Sequence, residues 1–344
     1  MLNLVYILIS MYVKLNCLVT INTQDNKTVR FDAVHQCEIE KSIDKIGSSV
    51  KIKIPTSARL VNNLENRTET AQTAKVFKRG DKINIQLGYD DNLKEEFNGF
   101  IYKINLTTPL EIECEGYEFL LRDNVPQKTF ASTNLIEVVK YIVEGKEIDL
   151  DGEIPDIKMT NYVIPANLTR LEALQQIKER YGVTIYFVNN KIVAGLDFIK
   201  YFGSVKYSLG ENTPKSDELK YQYADDVKLK VKAIQINKDN TKIEAEVGDK
   251  NGQHRTLYFY NAKSKQELEK LAMAEMQKWK FSGYTGKITT FLQPYSMPGM
   301  TAEIIDRVYS ERDGKYEIRS VKVDFGTSGA RRMVEIGKTV SDGQ

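Results

Sequence analysis

The chain has 344 residues, 41% hydrophobic and 28% charged, which is too long for one ordinary core and excludes a disordered protein. With 49 basic and 47 acidic residues the net charge is +2, so no dedicated nucleic-acid or membrane partner is implied. The three cysteines, Cys17, Cys37 and Cys114, have no zinc-site spacing and read as buried free thiols of a reducing compartment.

Residues 1–10 are apolar, too short for a membrane span, and lack the charged start and cleavage site of a signal peptide. They read as upstream translation ahead of a biological start at Met11, or as an interface arm. Strand patterns follow over 12–21, 29–43 and 50–54, with turns at Asn26-Lys27 and Gly47-Ser48-Ser49. Residues 59–74 are polar and read as a long loop or short helix. Residues 78–123 then alternate with period two. Ile83, Ile85, Leu87 and Tyr89 form one apolar face, 97–106 is a second strand, and Leu110, Ile112 and Cys114 oppose Glu111, Glu113 and Glu115 in a third. This is an antiparallel meander, and Pro109 in its last turn cannot donate to a ladder.

The pattern changes after Asp123. Asn134 to Glu137 and Thr169 to Glu172 are helix-capping signatures, each followed by apolar residues at helical spacing, and Gly182 stands at a C-cap position. A hairpin over 183–196 turns at Asn189-Asn190, which makes 124–200 a small α+β domain between two β-domains. Strand patterns then return. Val227, Leu229, Val231 and Ala233 alternate with Lys228, Lys230 and Lys232, a row that fits contact with a polyanion but is more commonly a solvated edge strand where lysines block strand addition. Ser264 to Glu267 opens a further helix carrying Leu268, Leu271, Met276 and Trp279. The last strands, 316–325 and 332–336, follow Pro298-Gly299 and a turn at Arg312-Asp313-Gly314. Their layout repeats that of Arg79-Gly80-Asp81 and the strands after it, by internal duplication or by chance likeness of two hairpins.

Catalytic signals are sparse. His35 and Cys37 would share one face of a strand, a poor geometry for a nucleophile and its base, and His254 falls in a turn pattern facing solvent. No phosphate loop, His-Glu-x-x-His or Gly-x-Ser-x-Gly occurs. Catalytic, cofactor-binding and metal-ligating residues are therefore assigned to none, no cofactor is implied, and the chain is expected not to be an enzyme.

Arg79-Gly80-Asp81-x-Ile83-x-Ile85, then Gly88-Tyr89, Gly99-Phe100-Ile101, and a close on Gly116-Tyr117-x-Phe119-Leu120-Leu121-Arg122 resembles the baseplate hub proteins of tailed bacteriophages. This is the late control protein D family, related to the N-terminal part of type VI secretion spike proteins. The resemblance implies a mainly β fold with an α+β insertion. Two tail-tube-like antiparallel β-barrels would span 11–123 and 201–338, the second with one helix, flanking the α+β subdomain 124–200, with a tail at 339–344. It implies a homotrimeric pseudo-sixfold ring in a virion tail, assembled in the bacterial host cytoplasm, joining the sixfold tail tube to the threefold spike. The machine would be a phage, a prophage or another contractile injection system. Implied partners are a tail spike protein, a tail tube or distal tail protein, and a tape-measure protein, with no stable nucleic-acid binding and no membrane. The chain ends soon after the second barrel, so the spike is expected to be a separate protein. One polar strand face, with Glu111, Glu113 and Glu115 as first candidates, would line the channel. Two other readings are a tail-associated cell-wall hydrolase, which needs a pocket with a raised-pKa carboxylate, and a carbohydrate- or surface-binding β-protein, which needs an exposed aromatic patch drawn from Tyr258, Phe259 and Tyr260.

Overall fold

Strands built on the alternating stretches at both ends of the chain join into one 13-stranded sheet. The computed structural model describes residues 13–62, 67–150, 154, 156–195, 202–214, 218–237, 239, 241–260 and 262–340. The expected start at Met11 lies outside these residues.

The first lobe contains β1 (Leu15–Asn22), β2 (Thr28–Phe31), β3 (Gln36–Ser42), β4 (Ser48–Ile54), β5 (Ser57–Asn62), β6 (Arg67–Gln72), α1 (Thr73–Val76), β7 (Lys82–Tyr89), β8 (Asn92–Asn105) and β9 (Leu110–Glu115). Its sheet order is β2-β1-β7-β8-β9-β4-β3. The stretch expected as a loop or short helix is instead the hairpin β5–β6, paired from Ser57 and Gln72 to Asn62 and Arg67, ahead of the single turn α1. Pairing with itself satisfies backbone groups that a loop of this length leaves to water.

Next come β10 (Lys128–Asn134), α2 (Leu135–Val143), β11 (Asp149–Leu150), β12 (Lys158–Ile164), α3 (Arg170–Tyr181), β13 (Thr184–Val188) and β14 (Lys191–Gly195), around a core of their own. The capping signatures are realised locally. Asn134 Oδ1 accepts from Glu137 N–H at 2.9 Å, Thr169 and Glu172 form a reciprocal capping box, and Gly182 closes α3 at φ +61°.

The remaining elements are β15 (Ser204–Ser208), β16 (Leu219–Gln222), β17 (Leu229–Ile236), β18 (Lys242–Gly248), β19 (Gln253–Phe259), α4 (Lys265–Trp279), β20 (Gly283–Thr290), β21 (Thr301–Ile305), β22 (Gly314–Gly326) and β23 (Gly329–Thr339). Within this stretch β17, β18 and β19 form a separate three-stranded sheet under α4. Here β17 is the central strand, not an edge, because β19 returns parallel to it. Its lysines are matched across the ladder, Lys230 to Glu246 and Lys232 to Glu244, both at 2.8 Å.

The two ends of the chain share one design. The path β7-β8-β9-β4-β3 recurs as β21-β22-β23-β20-β16. Gly80 N–H bonds to the Ile101 carbonyl at 2.8 Å and Ile101 N–H to the Asp81 carbonyl at 2.9 Å. The same pair recurs from Gly299 to Ile318 at 3.0 Å and from Ile318 to Met300 at 2.9 Å. Both glycines are left-handed, at φ +93° and +90°. One residue later each long strand bulges, between Ile101 and Lys103 opposite Cys114 and Glu113, and between Ile318 and Ser320 opposite Ile336 and Glu335. Chance likeness of two hairpins does not reproduce a glycine, a hydrogen-bond pair and a bulge at matching positions. The β17–β19 and α4 unit is inserted between β16 and β20, where the first copy has only the short turn between β3 and β4.

The two lobes meet at a strand pair. β22 carries β23 along one edge, and on the other it carries first β21 and then β3, from Ser320 and Ser42 to Gly326 and Gln36. One apolar cluster runs through both lobes, with Cys37 and Ile39 of β3 and Val321, Val323 and Phe325 of β22 at the seam.

Candidate functional site

Because side chains alternate across a strand, burying one face of this sheet leaves the other as a single polar surface. Glu111, Glu113 and Glu115 lie on that surface, half-buried, while Leu110, Ile112 and Cys114 between them are in the core. They do not form an acidic stripe. Register sets Lys53 beside Glu111 and Lys51 beside Glu113 on β4, and Asn105 and Lys103 beside the same two on β8. Lys53 and Lys103 each approach their glutamate to 4.0 Å, and Arg122 forks onto Glu115. The partly buried carboxylate beside it raises the Arg122 pKa.

One row crosses both lobes without interruption: Arg331, Asp324, Glu38, Lys51, Glu113 and Lys103, each opposite the next. At the seam Lys322 sits 3.7 Å from Glu38 and 3.5 Å from Asp324. Burial raises the Asp324 pKa and opposes charge on Lys322, whose pKa is nevertheless held up by Asp324, Glu38 and Glu40 around it. The face is polar and mixes both signs, with Lys322 between the adjacent acids Asp324 and Glu38, so it offers neither an apolar surface nor a strong field of one sign to anything passing over it.

Behind the seam lies an ion pair that the sequence reading missed. Arg332 and Glu96 are 1% and 2% exposed and bonded to each other. Arg332 Nε also donates to the Leu292 carbonyl at 3.1 Å and Nη1 to the Ser296 carbonyl at 3.0 Å. One clue was present. Arg332 falls on the inward stripe with Ala330, Val334 and Ile336, where a charge needs a partner.

Glu118 is the other missed residue. It is the variable position of the Gly-Tyr-x-Phe stretch, which forms a 3₁₀ turn over Tyr117–Leu121. Its Oε1 accepts from Ser48 N–H at 3.0 Å and Gly116 N–H at 2.9 Å, while Oε2 is buried with no hydrogen-bond partner among the described residues. Burial pushes its pKa up to about 8, so at neutral pH it is largely a carboxylic acid. It borders a crevice of about 570 Å³ shared with Lys41, Glu115 and Arg122. Two backbone N–H groups hold its carboxyl, which ties the segments of Ser48 and Gly116 together.

The remaining sequence candidates separate. His35 precedes β3 and is exposed, whereas Cys37 is fully buried with its thiol pKa pushed well up, so the two do not form a nucleophile and base. His254 is exposed on β19, in a strand and not in a turn. Strand alternation splits the aromatic trio: Tyr258 and Tyr260 pack on the α+β core and Phe259 on the core under α4, which leaves no joint exposed patch. Among the described residues no group of three or more His, Cys, Asp or Glu is placed to hold a metal ion.

No known family profile and no curated protein matches this sequence. Solved structures do. A tail protein from Neisseria meningitidis MC58 aligns with TM-score 0.59 at 13% identity, over 95% of this chain and 97% of that one. The chain has the fold of tail proteins. The 43 kDa tail protein of prophage MuSo2 from Shewanella oneidensis shares this tail-protein fold, with TM-score 0.58 and 14% identity over 94% and 98% of the two chains. So does an E. coli component of the type VI secretion system, itself described as structurally similar to bacteriophage T4 tail proteins, with TM-score 0.52 and 11% identity over 90% and 74%. The fold is mainly β with small helical parts, as the resemblance implied.

Proposed function

We propose that this protein is a structural hub of a phage tail baseplate, with no reaction of its own. Two tube-like β-domains, near 11–123 and 201–338, would stand side by side in each subunit, with 124–200 outside them. Three subunits about a closed axis would then make a pseudo-sixfold ring between a sixfold tube and a threefold spike. The observation that carries this reading is the repeated lobe with its matching bulge, joined to its twin through β3 and β22 in one continuous sheet. The unbroken polar face is the candidate channel wall, with Glu111, Glu113 and Glu115 in it. A spike protein, a tail tube or distal tail protein and a tape-measure protein are the partners proposed, in a virion tail assembled in the host cytoplasm. Likeness to tail proteins and to chains of a PdpA–VgrG complex supports a tail role.

The test is absolute mass by light scattering on a size-exclusion column over a range of concentrations. A trimer, or a monomer that trimerises as concentration rises, is the expected result. A monomer at every concentration overturns the ring.

A further inference from the structure

The internal seam supplies a template for the contact between subunits, an inference that rests on the ring proposed above. Matching Ile101 to Ile318 places Lys103, Ile104, Asn105 and Leu106 on Ser320, Val321, Lys322 and Val323. The ladders fix the other side. Cys114 leads through Val50 to Ile39, and Ile336 leads through Gly286 to Leu219, so Leu219–Gln222 fall on residues 39–42. Inside the chain those partners are joined: Ser42 faces Ser320, Lys41 faces Val321, Glu40 faces Lys322 and Ile39 faces Val323.

We infer that the outer edge of β16 pairs antiparallel with the end of β8 in a neighbouring copy, with Leu219 opposite Leu106, Lys220 opposite Asn105, Tyr221 opposite Ile104 and Gln222 opposite Lys103. Four observations carry this. Among the described residues β16 has no partner on its outer edge, and β8 has none beyond Ile101 on the edge that β7 and the Gly80-Asp81 turn occupy up to that point. The derived register sets apolar against apolar and polar against polar at every position. Ile104, Leu219 and Tyr221 are half-buried on the common core from one side only, and Leu106 is 82% exposed. Lengths also agree: seven residues of β3 meet the long arm of β22, and four residues of β16 meet the three that end β8 together with Leu106 just beyond it. At the internal seam Ile43 N–H reaches the Arg319 carbonyl at 3.0 Å, and its counterpart is Tyr223 N–H on the neighbour's Tyr102 carbonyl. The contact joins two different edges, so it propagates around an axis until it closes. The unpaired edges that invite aggregation in an isolated subunit are thereby used up.

The test uses full-length protein. Lys103→Cys and Gln222→Cys variants are prepared separately, mixed and mildly oxidised. Both positions lie on the polar face, directly opposed residues have Cβ atoms about 4.5–5.5 Å apart, and the native cysteines are all buried. A disulfide dimer is expected from this mixture and not from Lys103→Cys with Gln222 intact and Lys220→Cys, which is out of register. Leu106→Asp, at an exposed site, is expected to raise the concentration needed for trimer by about tenfold or more with the circular dichroism unchanged. Trimeric protein that forms no such disulfide, or that is indifferent to Leu106→Asp, overturns this pairing and leaves the ring standing. Wild-type protein that is monomeric at every concentration overturns both.

Discussion

Arg332 of β23 and Glu96 of β8 form an ion pair buried between the two lobes, 236 residues apart in sequence. Removing one partner leaves an uncompensated charge in the core. Glu96→Gln or Arg332→Leu should lower unfolding free energy by about 3–5 kcal/mol, read from denaturant midpoints. The double Glu96→Leu, Arg332→Leu variant should recover part of that loss. Recovery stays partial because the Leu292 and Ser296 carbonyls lose their donor.

Glu118 gives a pH dependence with a defined sign. Its pKa is about 8 in the fold against an ordinary 4.5. Below that ordinary value both folded and unfolded chains hold the proton and the group costs nothing. As pH rises toward 8 the unfolded chain ionises first, so stability falls by up to roughly 1.4 kcal/mol for every pH unit crossed, and levels off above. Glu118→Gln should flatten this slope. Its stability relative to wild type should therefore improve between pH 5 and pH 8, and an unchanged slope would refute the assignment.

Gly80 and Gly299 occupy equivalent left-handed positions, so alanine should cost roughly 1–3 kcal/mol of strain at either. Their surroundings differ. A Cβ at Gly80 comes close only to the flexible end of the Gln24 side chain, at 3.1 Å, with the Phe119 ring at an ordinary 3.9 Å, whereas at Gly299 it meets the Phe202 ring at 2.6 Å. Thermal unfolding should show Gly299→Ala as the more damaging change.

On the polar face, Glu113→Lys sets three lysines in a row with Lys51 and Lys103. The fold should lose less than about 1 kcal/mol, because the site is partly exposed and screened. The loss should shrink with added salt, and Lys51→Glu in the same chain should restore it. Collapse of the fold would argue against this surface being a solvated wall.

Burial pushes the thiol of Cys17 up to about 11 and raises those of Cys37 and Cys114 further. Native protein should therefore resist maleimide labelling at neutral pH and take up label only on unfolding.

What the sequence disclosed follows the range of each interaction. Alternation through Ile83, Ile85 and Leu87 and the caps at Thr169 and Ser264 are local, and they appear in the structure where their residues stand. The duplication showed itself at its glycines, since only that conformation demands a particular residue; its bulge is backbone geometry and leaves no such mark. The β3–β22 seam joins residues nearly the whole chain apart, and nothing near Cys37 announces Phe325. Lys228, Lys230 and Lys232 suggested an edge because centrality depends on β19, which arrives later and parallel. Glu118 looked like filler in a loose motif, although its carboxyl ties two segments 70 residues apart.

After the shared bulge the repeats diverge in height. β22 continues from Ser320 to Gly326, while β8 ends at Asn105, a difference of four residues or about 13 Å of strand. A ring of such subunits would have a scalloped rim on that side, with tall and short crenellations in alternation. A ring that is sixfold along its wall would thus present a threefold key at one mouth, made by hairpin length alone and without any change to the wall.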